Sequence, residues 1–189
     1  MRKLGFIHIT KTAGTSIEDI ANAAGIKWGR FDPTYGPWHQ LPSRKDQNIF
    51  KNKDWFMVVR NPYSRIISEF HCKWGGVGKD VNQYNITSFN QYIENAIKTR
   101  ANHPRGDHYT RQHLYVNAVP GLNVLKFENL AVEFKDLMLK YDIKLSLNKK
   151  NNSSASHKRF TVTDLGRESI ALINRIYAVD FKEFNYRML

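Results

Sequence analysis

Apolar positions follow two rhythms along this chain. Short runs without a polar break alternate with longer stretches in which apolar residues recur every three or four positions. Unbroken runs suit strands of a parallel sheet, buried on both faces, and the longer period marks helices with one buried side. The first run predicts a buried strand over residues 3–9. Ile17, Ile20, Ala21 and Ala24 then predict a helix from Thr15 to Ala24, stopped by Gly25. Residues 26–31 read as a second strand, and 32–53, rich in Pro, Gly and charge, as a long loop with a short helix.

Asp54-Trp55-Phe56-Met57-Val58-Val59 is the strongest strand signal, and it runs directly into Arg60-Asn61-Pro62. Asn61 is a good N-cap and Pro62 suits the first helical position, which predicts a helix from Tyr63 to about Lys73, ended by Gly75, Gly76 and Gly78. Phe89, Tyr92, Ile93, Ala96 and Ile97 carry helical spacing, and a His- and Arg-rich loop follows from Arg100 to Arg111. Leu122 to Phe127 reads as a strand, and Glu128 to Tyr141 as an amphipathic helix. A polar basic loop over 144–160 precedes a last helix from Asp164 to Ala178. Strands alternating with helices predict an α/β fold: one three-layer, P-loop-like domain over 1–189, with a central, mainly parallel sheet flanked by helices. Ligands of such sheets bind at the carboxyl ends of strands, where Lys11 and Arg60 both fall.

Charge narrows the partners. Twenty-nine Lys and Arg against 17 Asp and Glu leave a net +12, which favours an anionic partner: nucleic acid, a polyanionic substrate, a phosphate-rich cofactor or a membrane surface. The single cysteine, Cys72, excludes an intrachain disulfide and a cysteine-based zinc site. No apolar run approaches the roughly 18–20 residues of a membrane span, and the first strand leaves no room for a leader, so a cytoplasmic enzyme is expected.

Two turns carry the chemistry. In "GFIHITKTAGTSIEDI" an apolar strand meets Lys11, Thr12, Ala13, Gly14, Thr15 and Ser16 and then a helix. Unpaired N–H groups at a helix start favour an anion, Gly14 allows close approach, and Lys11 adds charge. The spelling is not that of a nucleotide triphosphatase, because Thr10 stands where the Walker pattern wants its second Gly. In "VVRNPYSRIISEF", Arg60 ends a strand and Ser68 follows eight residues later, which suggests a second phosphate subsite. Phosphates at two separated places fit a nucleoside bisphosphate better than a triphosphate.

These two motifs resemble the 5′-phosphosulfate loop and the 3′-phosphate motif of sulfotransferases, which bind 3′-phosphoadenosine 5′-phosphosulfate (PAPS) and release 3′,5′-bisphosphoadenosine (PAP). The likeness is strongest to the carbohydrate sulfotransferase group of chondroitin, dermatan and bacterial enzymes. "RQHLYVNAVPGLNVLKFENL" and "INRIYAVDFKEFNY" are similar to that group's later segments. The resemblance implies in-line sulfuryl transfer to a hydroxyl, on a carbohydrate acceptor, with no metal, no nucleic acid and no membrane partner. It implies that Lys11 to Ser16, Arg60 and Ser68 hold the cofactor, joined by Asn152, Ser156, Lys158 and Arg159 from the "NNSSASHKRF" loop.

Transfer to a hydroxyl needs a general base. His39, between the two motifs, matches the family's usual candidate, and Lys11 supplies charge where the bridging oxygen departs. Glu18 competes for the role of base, although a Glu on the helix surface is the plainer reading. His8 reads as a core residue, and His71 has no clear role. His103, His108 and His113 surround the Arg-rich loop, and His108, Arg111 and Gln112 match an acceptor-side segment. Two other classes stay open: a nucleotide or small-molecule kinase, which should show a Gly-Lys pair and Mg²⁺ ligands, and a basic nucleic-acid-binding module, which should concentrate its basic residues in one stripe.

Overall fold

A computed structural model describes residues 3–32, 39–42, 47–103, 107–147 and 159–189. The chain divides into two compact units: one of residues Met1–Arg60 and Leu114–Asn151, the other of Asn61–His113 and Asn152–Leu189.

The first unit holds the sheet. Strands β1 (Leu4–Ile7), β2 (Asp54–Val59) and β3 (Asn123–Lys126) lie in the order β1-β2-β3, all parallel. Ile7 pairs with Met57, and Val59 with Lys126, so all three strands end at one edge. Alternation sorts their side chains. Leu4, Phe6, Phe56, Val58 and Leu125 form one cluster with Ile17 and Ala21 of α1 (Gly14–Ala23) and Phe134, Leu137 and Met138 of α6 (Leu130–Lys140). Residues of opposite parity on β2, Trp55, Met57 and Val59, are equally buried, and Trp55 meets Phe50 of the short helix α2 (Gln47–Lys51) edge-on at 5.0 Å. A strand with both faces covered needs a continuous apolar run, which explains the sequence of β2.

The second unit is helical. Helix α3 (Pro62–Phe70) begins as its sequence predicts, with the Asn61 side chain accepting from the Tyr63 N–H at 3.0 Å and Pro62 in the first turn. Helix α4 (Ile86–Arg100) opens on a reciprocal capping box between Asn85 and Ser88. Both pack with α7 (Arg167–Ile176) around Phe70, whose ring is met edge-on by Tyr84, Phe89, Tyr92 and Phe160.

The α/β class with its parallel sheet flanked by helices is as expected. Three local expectations need correction. Residues 26–31 are not a strand: Gly29–Phe31 is a 3₁₀ turn, and Gly29 adopts φ 54°. The Arg30 N–H goes to the Glu18 carboxylate and the Asp32 N–H to the Gly29 carbonyl, which removes both from any ladder. The last predicted helix, over 164–178, is α7, which ends at Ile176, and a further helix, α8 (Ala178–Glu183), follows it after Tyr177. Helix α5 (His113–Ala118) forms where the sequence predicts no element.

Candidate active site

The turn after β1 is tied from within. Thr12 is fully buried, and its hydroxyl donates to the Ile9 carbonyl at 2.7 Å. Lys11 and Ala13 both take left-handed backbone angles, φ 63° and 69°, which cost non-glycine residues about 1–3 kcal/mol each. Left-handed residues alternating with ordinary ones turn backbone N–H groups into a shared concavity, the kind that receives anions. Ala13 is the N-cap of α1 and offers no side-chain cap, so no side chain of its own covers those N–H groups. Lys11 is half-buried, Thr15 exposed and Ser16 half-buried at the same end.

Behind the turn lies a buried polar pair. His8, just past β1, donates from Nδ1 to Glu18 Oε1 on α1 at 2.8 Å, and the two are 5% and 0% exposed. Glu18 also accepts from the Arg30 backbone. The surface position expected for Glu18 is therefore corrected: it is a core carboxylate that holds His8. His8 is the satisfied core histidine its place in the sequence suggested. Gly14 is required by this pair, since a Cβ there would stand 2.0 Å from Cδ2 of the His8 ring.

His39 packs on the same imidazole. Its ring meets that of His8 edge-on at 4.4 Å, and its Nδ1 donates to the His8 carbonyl at 3.2 Å. A neutral His39 with its proton on Nδ1 carries its lone pair on Nε2. The Tyr115 hydroxyl of α5 holds the His39 carbonyl at 2.9 Å, in a backbone with φ 68°. Tyr115 carries no motif in the sequence that would have announced it.

Arg60 follows β2 directly. Its Nη1 donates to the Lys11 carbonyl at 3.2 Å, and its guanidinium stacks 4.1 Å from the ring centroid of Phe127, the residue after β3. The ends of all three strands thus contribute to one place: Lys11 after β1, Arg60 after β2 and Phe127 after β3. In the sequence Phe127 is only the end of a predicted strand, and parallel register is the signal that places it here.

The remaining site expectations fall in the second unit. Ser68 is buried on α3. Arg159 is exposed and donates to the Asn82 carbonyl at 2.8 Å, whereas Asn152, Ser156 and Lys158 lie outside the described residues. Gln112 is fully buried, and its backbone N–H, the His113 N–H and His113 Nδ1 all converge on the buried Asp180 carboxylate. Arg111 is half-buried. His71 donates from Nδ1 to the Ile67 carbonyl at 2.8 Å.

His108 has two partners of its own. Its Nδ1 donates to Glu69 Oε1 at 2.7 Å, and its ring also hydrogen-bonds the Cys72 thiol. The bonds to Cys72 and then Glu69 raise its pKa to about 9 against the opposing effect of burial. Burial pushes the Cys72 thiol up, but the bond with His108 and the backbone N–H groups of Trp74 and Gly75 outweigh it and bring the thiol down to about 7.

Three parallel strands thus end at a turn of outward-facing backbone N–H groups, with an arginine and a histidine held beside it, the layout of a candidate site for an anionic ligand. A family model described as "Sulfotransferase family" matches residues 2–187, and the chain belongs to that family. Its members transfer a sulfuryl group to a hydroxyl-bearing acceptor. No curated protein and no solved structure matched the chain. Among the described residues, no helix is long and apolar enough to cross a membrane.

Two outcomes follow from this geometry. Gly14→Ala forces the His8 ring to move and should lower stability by about 1–3 kcal/mol, read as a reduced urea midpoint with unchanged slope. Alkylation of Cys72 by iodoacetamide should accelerate as pH rises through about 7, because the thiolate is the nucleophile. In His108→Ala the bond that lowers the thiol is gone, so the midpoint should move up to about 8.5 or beyond. A midpoint that stays put would show that His108 does not control the thiol.

Proposed function

We propose that the protein transfers the sulfuryl group of PAPS to a hydroxyl of a carbohydrate acceptor, leaving PAP and a sulfate ester. The observation that carries this reading is the hydrogen bond from Arg60 to the Lys11 carbonyl. It joins the residue read as the 3′-phosphate ligand to the loop read as the 5′-phosphosulfate cradle. The reading takes residues 1–189 as one catalytic domain, in keeping with the family match over 2–187.

In this reading the N–H groups at the start of α1, with Thr15 and Ser16, hold the 5′-phosphosulfate, and Arg60 neutralises the 3′-phosphate. Ser68 joins Arg60 on the strength of the motif in the sequence. The acceptor oxygen attacks sulfur in line as the bond from sulfur to the bridging phosphate oxygen breaks. Lys11 stabilises the charge that collects on that oxygen, and His39 Nε2 takes the acceptor proton. By analogy with loose phosphoryl transfer, positioning and electrostatics do the catalysis. Transfer then proceeds without added Mg²⁺, whereas strict Mg²⁺ dependence with turnover of ATP would favour a kinase.

Binding and chemistry are separable by experiment. Isothermal titration should find PAP bound far more tightly than 5′-AMP. Arg60→Ala should weaken PAP about 10- to 150-fold, the worth of a charge-assisted hydrogen bond. Equal affinities for the two nucleotides would remove the 3′-phosphate assignment.

His39→Ala tests the base. It should bind PAP almost as the native protein does while losing about 10²–10⁴ in turnover. Lys11→Ala should lose turnover and part of the PAP affinity. Near-native turnover in His39→Ala would rule the role out.

A further inference from the structure

The second unit holds a cluster of a different kind. Glu69 on α3, Cys72 just past its end and His108 in the loop before α5 bring a carboxylate oxygen, a sulfur and an imidazole nitrogen within 4.8 Å of one another. Glu69 is 1% exposed; its Oε1 accepts from His108 Nδ1, whereas its buried Oε2 accepts no hydrogen bond among the described residues. A buried carboxylate oxygen without a donor carries an unrelieved desolvation cost, which contact with a cation removes. Gly75 keeps the place open: a Cβ there would stand 2.0 Å from Glu69 Oε1 and 2.4 Å from His108 Nδ1.

We propose that Glu69, Cys72 and His108 bind a thiophilic divalent cation, with zinc the ion that fits the donor set. Ca²⁺ and Mg²⁺ take oxygen ligands, whereas sulfur with imidazole selects zinc and its neighbours. A tetrahedral zinc with ligands at about 2.0–2.3 Å holds them about 3.3–3.7 Å apart. Accommodating the ion takes shifts of about 1 Å and displaces the proton that Nδ1 now donates to Oε1, with the carboxylate turning Oε2, its unpaired oxygen, to the metal. Thiolate and carboxylate supply two negative charges that the ion cancels, with the imidazole neutral. Three protein ligands leave a fourth position for water.

The frame around the cluster is already braced. Arg65, 2% exposed, donates Nη1 to the Thr110 carbonyl and Nη2 to the His108 carbonyl, each at 2.9 Å. Arg100 Nη1 holds the Gly75 carbonyl at 2.9 Å. With one cysteine the chain cannot build a site from cysteine alone. The fold supplies the missing ligands from a helix and a distant loop, which no local spacing in the sequence reveals. The inference does not depend on the cofactor reading, and its test does not use activity.

The experiment titrates the metal-stripped, full-length protein with Co²⁺ and then Zn²⁺. One equivalent of Co²⁺ should give a thiolate-to-cobalt charge-transfer band, which one equivalent of Zn²⁺ should bleach. Cys72→Ser should show no band, and its zinc affinity, read against a chromophoric chelator, should fall by about 100-fold or more. Glu69→Gln should keep the band and bind zinc about 10- to 100-fold more weakly. Absence of the band in the native protein, or equal zinc affinity in Cys72→Ser, would overturn the site and place any bound zinc on other histidines. Should a variant fail to fold, the native protein carries the test: zinc must slow alkylation of Cys72 by iodoacetamide, and an unchanged rate sinks the proposal.

Discussion

One buried hydrogen bond sets the geometry of the strand-end site: His8 Nδ1 to Glu18 Oε1, at 2.8 Å. It locks the end of β1 to the first turns of α1, so the residues between them have one path to follow. That path places Lys11 and Ala13 in left-handed conformations and leaves room at position 14 for glycine alone. The same carboxylate takes the Arg30 N–H, and the same imidazole supports the His39 ring. Losing either partner would leave a polar group buried without its hydrogen bond, and that cost would be felt by the turn, by Gly29–Phe31 and by His39 together. A buried carboxylate thus shapes the turn from behind.

The second unit uses the same device to hold its loops. The Asp180 carboxylate gathers two backbone N–H groups and an imidazole from Gln112 and His113, and Arg65 holds two carbonyls of the preceding residues. Through these contacts the segment around His108 is anchored on both sides, and His108 itself meets Glu69 and Cys72. A buried ion or ion-like group is stable only with its hydrogen bonds met, and here main-chain groups of a loop meet them.

The +12 charge takes on a more definite meaning beside these observations. Two of the cations belong to the architecture: Arg65 to a loop and Arg100 to Gly75 and Asp107. Lys11 and Arg60 differ in standing at the ends of β1 and β2, tied to each other beside the turn that opens α1.

What the sequence determined by itself was whatever depends on near neighbours. The unbroken apolar run of β2, the Asn61-Pro62 start of α3 and the strand-turn-helix of residues 3–24 were legible because pleat, cap and helical period act over a few residues. The two strand-turn-helix motifs were legible for the same reason, and with them the family. Tertiary structure decided the rest. Glu18 looks like any helix carboxylate until Gly29 and His8 close over it, and 26–31 looks like a strand until Glu18 takes its N–H. Tyr115, Phe127 and the Glu69–Cys72–His108 cluster gain their places from parallel register or from contacts between residues far apart in the chain. Burial of a polar group is favourable only where a distant partner arrives, and nothing local in the chain records that arrival.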